Sequence, residues 1–203
     1  MTRPRRRDRL PRRPTELRFA PIHIQTHILS GWVVGNLFRL SPRERALCMV
    51  AAAAPDVDGL GIVVSPELYW DLHHKLGHNV FFFAALAAGL AGLGPHRLKA
   101  WSIYFALGWV HFALDYLGSG PGWGLYPLWP VDGLEVMWPH AWPFFSPQNI
   151  GAAAALLAMT VGVALDAGRT PLEWFMPRLD ARLVTLFRRA AGHVGARRAD
   201  PRS

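Results

Sequence analysis

Apolar runs of nearly membrane-spanning length follow one another through the middle of this 203-residue chain, each broken at only a few polar positions. They are residues 26–38 (THILSGWVVGNLF), 46–62, 79–93 (NVFFFAALAAGLAGL), 101–117 (WSIYFALGWVHFALDYL) and 150–165 (IGAAAALLAMTVGVAL). A spanning helix needs about 17–25 apolar residues, so these runs sit at or just under the limit. Periodicity alone does not separate short membrane helices from the buried helices of a soluble bundle. Glycine-rich apolar runs beside a belt of tryptophans favour the membrane. The expected fold is all-α: a membrane helical bundle of about four to five short helices with a Trp/Gly/Pro-rich loop.

The polar text between the runs marks their ends. Ser41-Pro42-Arg43-Glu44 reads as an N-cap with proline at the first helical position. Pro55 is expected to stop that helix at Asp56-Val57-Asp58-Gly59, because proline lacks a backbone donor and restricts its predecessor. The turn at 95–99 makes the third and fourth runs a helical hairpin. Residues 118–149 carry Trp123, Trp129, Trp138 and Trp142 among many glycines and prolines and hold no Lys or Arg, as a loop at a membrane interface or over a site would. Three units result: a disordered Arg/Pro-rich N-terminus (1–21), a membrane-embedded domain (22–166) and a basic amphipathic tail (167–203).

The net charge of +8 invites a nucleic-acid partner, but its distribution argues otherwise. Of 22 Lys and Arg, eight lie between Arg3 and Arg18 and eight between Arg169 and Arg202. Arginine-rich ends around an apolar middle suit anionic lipid head groups, and no helix-turn-helix or RNA-binding signature accompanies them. No nucleic acid is expected. Cys48 is the only cysteine, which excludes an intrachain disulfide and any cysteine-built zinc finger.

Polar residues inside apolar segments cost several kcal/mol unless partnered, so His27, Asp56, Asp58, His74, His78, His111 and Asp115 stand out. Positions i and i+4 share a helix face, and His111 and Asp115 in HFALD therefore form a chelating pair. His74 and His78 repeat the spacing, with His73 adjacent. Taken singly, a His with Asp one turn on is a hydrogen-bonded pair, and Pro-Asp-x-Asp-Gly is a helix stop with Asx-type bonds. Their joint occurrence favours a site for a divalent metal. If the apolar runs cross the membrane in alternation, the His and Asp residues all fall near one face. Thirteen basic residues then flank the opposite face and nine the site face, which puts the site outside the cytoplasm by the positive-inside rule, against the arginine-rich N-terminus.

Thr26-His27 with Ser30-Gly31, the stretch AAAPDVDG ending at Gly59, His73-His74 to His78-Asn79, and His111-Phe-Ala-Leu-Asp115 followed by Pro127-Leu-Trp-Pro130 resemble the YdjM family. Its members are bacterial and archaeal inner-membrane proteins described as metal-dependent hydrolases. The resemblance covers about residues 23–165 and implies a multi-pass protein of the inner (cytoplasmic) membrane. More remotely, the succession of His and Asp residues on helices is similar to that of zinc-dependent phospholipase C. On this reading one or two divalent ions, most simply zinc, are held by Asp56, His78, His111 and Asp115, with His27 and one of His73 or His74 completing a second position. Asp58 is the candidate general base or the residue that orients a ligand. Glu135 and His140, in the tryptophan-rich loop, are candidates to protonate a leaving group. The expected substrate is an amphipathic, lipid-like phosphoester or ester met at the bilayer surface. The alternative is a membrane protein that binds or moves a metal without hydrolysis.

Overall fold

The structure is a computed structural model that describes residues 22–94 and 96–198. The segment expected to be disordered over residues 1–21 lies outside the described residues, as does the end of the basic tail at 199–203. Seven α-helices make up most of what is described: α1 (Ile22–Asn36), α2 (Pro42–Ala53), α3 (Pro66–Leu72), α4 (Val80–Ala91), α5 (Arg97–Gly118), α6 (Pro147–Ala167) and α7 (Pro177–Arg198). Strands are absent among the described residues; a lone antiparallel bridge pairs Leu125 with Val136 in the long loop. The all-α expectation holds. The five apolar runs become α1, α2, α4, α5 and α6, and the basic tail supplies α7. Only α3 is announced by neither an apolar run nor the basic tail.

Local chemistry fixes the helix starts. Ser41 accepts a hydrogen bond from the Glu44 N–H while the Glu44 carboxylate accepts one from the Ser41 N–H, a reciprocal cap with Pro42 in the first turn. Ser65 and Ser146, each followed by proline, cap α3 and α6 one way only by accepting from the Leu68 and Asn149 N–H, and Asn79 caps α4 through the Phe82 N–H. Helix α2 ends at Ala53, as expected from Pro55, and the chain beyond tightens into a 3₁₀ segment, Ala54–Val63. Proline sits in the first turn of that segment and donates nothing, and the Ala52 carbonyl one turn back is met by His111 Nδ1 instead.

Helices α2, α4 and α5 pack through small side chains, with Ala51, Ala52, Ala87, Ala91 and Ala100 around Leu107, Ile103 and Cys48. Helix α1 lies against α2 so closely that a Cβ on Gly31 would come within 2.4 Å of the Cys48 carbonyl oxygen. Close approach over small residues is how helices associate where lipid removes the hydrophobic drive. Trp32 is fully buried in a second cluster with Ala46 and Met49, against which Val163 of α6 packs.

Two helical stretches are long and apolar enough to cross a membrane, Pro42–Val63 and Pro147–Ala167. They differ in setting. The first is 39% buried within the protein, whereas α6 is only 11% buried and turns Ile150, Leu157 and Met159 outward. An apolar helix left this bare in water would form a contiguous hydrophobic patch far larger than soluble monomers carry. At the far side of the molecule Arg45 makes a two-pronged ion pair with Glu173 (2.5 and 2.6 Å) and also donates to the Leu40 carbonyl. This pair ties the chain after α6 back to α2.

Candidate metal centre

Each element delivers one or two groups to a common point. His27 comes from the second turn of α1, Asp56 from the 3₁₀ segment, His78 from the residue before the α4 cap, and His111 and Asp115 from successive turns of α5. The three histidines and Asp115 are buried; Asp56 is the most exposed of the five carriers, at 16% of its side chain. Asp115 is the hub. Its Oδ1 lies 3.1 Å from His27 Nε2, and its Oδ2 lies 3.0 Å from His78 Nε2 and 2.9 Å from His111 Nε2. Asp56 faces the same three nitrogens at 3.6 to 3.9 Å. The His27 and His111 rings stack with centroids 3.7 Å apart.

The outer nitrogens determine what this convergence means. His111 Nδ1 sits 2.6 Å from the Ala52 carbonyl oxygen, and His78 Nδ1 sits 2.9 Å from Asp58 Oδ2. Both partners only accept hydrogen bonds, so each Nδ1 carries a proton, and each ring presents a lone pair at Nε2 whenever it holds that proton alone. Those two Nε2 atoms are 2.9 Å apart, and the carboxylates of Asp56 and Asp115 point at them. Lone pairs and anions gathered without a donor repel unless a cation or protons lie among them. N and O ligands about 2.0–2.2 Å from one tetrahedral ion stand about 3.3–3.6 Å apart, and the separations here, from 2.9 Å for His111–Asp115 to 3.9 Å for His27–Asp56, bracket that range. The donor atoms of His27, Asp56, His111 and Asp115 all lie within 4.8 Å of one another. The residues therefore fit a divalent metal ion held by nitrogen and oxygen donors.

Asp58 lies outside this knot. Its Oδ1 accepts from His73 Nδ1 at 2.7 Å, and its Oδ2 accepts from His78 Nδ1 and from the Gly77 N–H, both at 2.9 Å. With every inward-facing oxygen engaged, it orients His78, as outer carboxylates orient metal-binding histidines. A 3₁₀ winding of three residues per turn sends side chains two apart to different faces, which is why Asp56 and Asp58 part company. His73 follows Asp58 and does not join the central knot. His74 is buried with donor reach to His78 and Asp115. Glu135 and His140 are exposed in the long loop, and nothing brings them to the cluster; Glu135 packs over Gly124 and Tyr126.

Sequence reading missed the wall beside the histidines. Tyr69 and Trp70 of α3 meet Trp123 of the long loop with centroids 5.9 and 4.7 Å apart, while Trp123 lies 5.4 Å from His73 and 4.9 Å from His74. Burial, helped by the charges of Asp56, Asp58 and Asp115, pushes the Tyr69 hydroxyl up to about 12, so it stays a neutral donor. The serine-proline start at residues 65 and 66 was the available signal for a helix there. Trp138 and Trp142 gather instead by Tyr116.

Burial depresses the basicity of His78, but hydrogen bonds to Asp115 and Asp58 and their charges outweigh it, raising the ring to about 10 when no metal is bound. A cation at Nε2 must then expel a proton. Apparent metal affinity is expected to rise about tenfold per pH unit for one proton released, up to about pH 10. In the metal-free chain the sign is opposite: the stability due to a raised His78 is complete below its ordinary value of 6.5 and fades as pH rises through about 10. Chelator competition at pH 6.5, 7.5 and 8.5 checks the slope, and a flat profile refutes it.

Residues 22–190 match the YdjM inner membrane protein family. No curated protein and no solved structure matches the chain.

Proposed function

The chain belongs to the YdjM inner membrane protein family, and on that premise we propose that it is a multi-pass membrane hydrolase. Its metal ion would be held by His27, Asp56, His111 and Asp115, and its substrate would be a lipid-like phosphoester or ester. The observation that carries this reading is the convergence of His27 Nε2, His111 Nε2 and the carboxylates of Asp56 and Asp115 on one point. A divalent ion, zinc in the simplest case, supplies Lewis acidity there, lowering the pKa of a water toward neutrality and polarising a phosphoryl or acyl oxygen.

The chain's own residues do the rest. Asp58 holds His78 in the tautomer that points Nε2 inward. Tyr69, kept protonated by burial and by the charges of Asp56, Asp58 and Asp115, is available as a hydrogen-bond donor to a substrate. Trp123, Trp70 and Tyr69 form an apolar flank on which an acyl or other greasy group can lie while the polar bond reaches the cluster. The lipid setting is supported by the bare face of α6 and by Trp174, Phe175 and Met176, each about half exposed just ahead of α7. Arg178 and Arg182, exposed on α7, suit anionic head groups.

The test is turnover by the full chain in detergent or nanodiscs, stripped of metal and refilled with zinc, on phosphodiester, phosphomonoester and carboxyl ester probes, including phospholipid in the same bilayer. Chelation should abolish hydrolysis and zinc restore it. A chain that keeps its zinc yet turns over none of these holds metal without doing chemistry, and the hydrolase reading fails. Within the same assay Asp58→Asn is expected to weaken metal affinity by about 10–100-fold while leaving the site able to fill at saturating zinc. If Asp58→Asn cannot be filled at any zinc concentration, Asp58 is itself a ligand.

A further inference from the structure

The rings of His74 and His27 each carry a buried nitrogen without a partner beside the cluster. His74 is 3% exposed, and its Nδ1 has no hydrogen-bond partner. The His74 backbone also adopts the left-handed region, φ 68°, which side-chain-bearing residues seldom occupy outside turns that need it. Two contacts hold it there: the Tyr126 N–H donates to the His74 carbonyl oxygen at 3.2 Å, and Trp123 lies against the ring. The fold thus keeps a strained backbone and an unpaired buried imidazole at one position. Donor atoms of His74, His78 and Asp115 lie within 4.8 Å of one another, and all three residues are buried.

The geometry points to a second cation position made by His74, His78 and Asp115, with Asp115 the carboxylate shared with the first. This inference rests on the first cluster being a metal centre. Charge supports it independently. Asp56, Asp58 and Asp115 bring three carboxylates together, and the nearest lysine, Lys75, is turned over the Tyr126 ring at 5.2 Å. One divalent ion leaves those carboxylates with a net negative charge; two make the site net positive. A net positive site attracts an anionic ester, which narrows the substrate class to phosphoesters over neutral carboxyl esters. His73 stands apart from the second position: its donor atoms gather with Asp58 and His78 and not with Asp115.

The experiment is metal stoichiometry on the full chain in detergent, by elemental analysis after zinc refilling and by visible absorption during titration with cobalt(II). Wild type is expected to bind two ions per chain and His74→Gly one. Glycine removes the imidazole while accepting the left-handed backbone, so the fold is retained; His74→Asn, which also tolerates that conformation, is the second variant and should likewise bind one. One ion in wild type, unchanged in both variants, overturns the second position and leaves the first standing. No ion in wild type overturns both. Because the readout is bound metal, the inference is decided whether or not a hydrolysable substrate is found.

Discussion

Replacing Asp115 by alanine is expected to empty the site. This carboxylate touches His27, His78 and His111 at 2.9 to 3.1 Å, more partners in the cluster than any other residue. Without it three buried imidazoles face one another around Asp56 alone. Changing an outer partner of a metal site already costs about 10–100-fold in affinity, so removal of the central ligand should exceed hundredfold. Zinc per chain should fall close to zero after purification, and hydrolysis with it. Stability should also drop by about 3–5 kcal/mol, the cost of breaking a buried ionic network by removing one partner. Asp115→Asn keeps the shape and loses the charge; it should recover part of the stability and little of the metal. Elemental analysis with thermal unfolding in detergent separates these effects. A variant retaining stoichiometric zinc would show that the knot around Asp115 is held by hydrogen bonds alone.

Gly77→Ala is expected to disable the protein without touching a single ligand. A Cβ at Gly77 would lie 1.9 Å from the Pro55 carbonyl oxygen, and both atoms belong to backbone. Side-chain rotation offers no relief. The loop must lift from the 3₁₀ segment, breaking the hydrogen bond from the Gly77 N–H to Asp58 and displacing His78 next to it. Overpacking of this kind costs about 1–3 kcal/mol where side chains can yield, and here they cannot, so the upper end is expected. Metal affinity should fall by at least the 10–100-fold typical of a disturbed outer partner. A zinc-binding isotherm compared with wild type checks it, and an unchanged isotherm would mean that this loop does not position His78.

The candidate ligands were legible because polar groups stand out in apolar text. His111 and Asp115 needed only the helix repeat to be paired, and His27, Asp56 and His78 were the costly interruptions of apolar text. What stayed hidden depended on winding and on chain return. The division of labour between Asp56 and Asp58 follows from a 3₁₀ turn that a proline in the sequence suggested as a stop. His73 and His74 are neighbours with opposite fates because one backbone angle is left-handed, and pattern alone does not announce that angle in a histidine. The long loop's tryptophans were read as a group; Trp123 reaches the histidines and Trp138 does not, a distinction made by where α3 lies. Glu135 and His140 drew attention by residue type, although open loops carry such groups without any duty.

The sparse burial of α6 places part of this protein's native environment outside its own covalent chain. Acyl chains complete the coat around Ile150, Leu157 and Met159, so surrounding amphiphile acts as a missing layer of the fold. Because α6 rests on α1, which carries His27, the choice of solubilising agent reaches the imidazole cluster through one intervening helix.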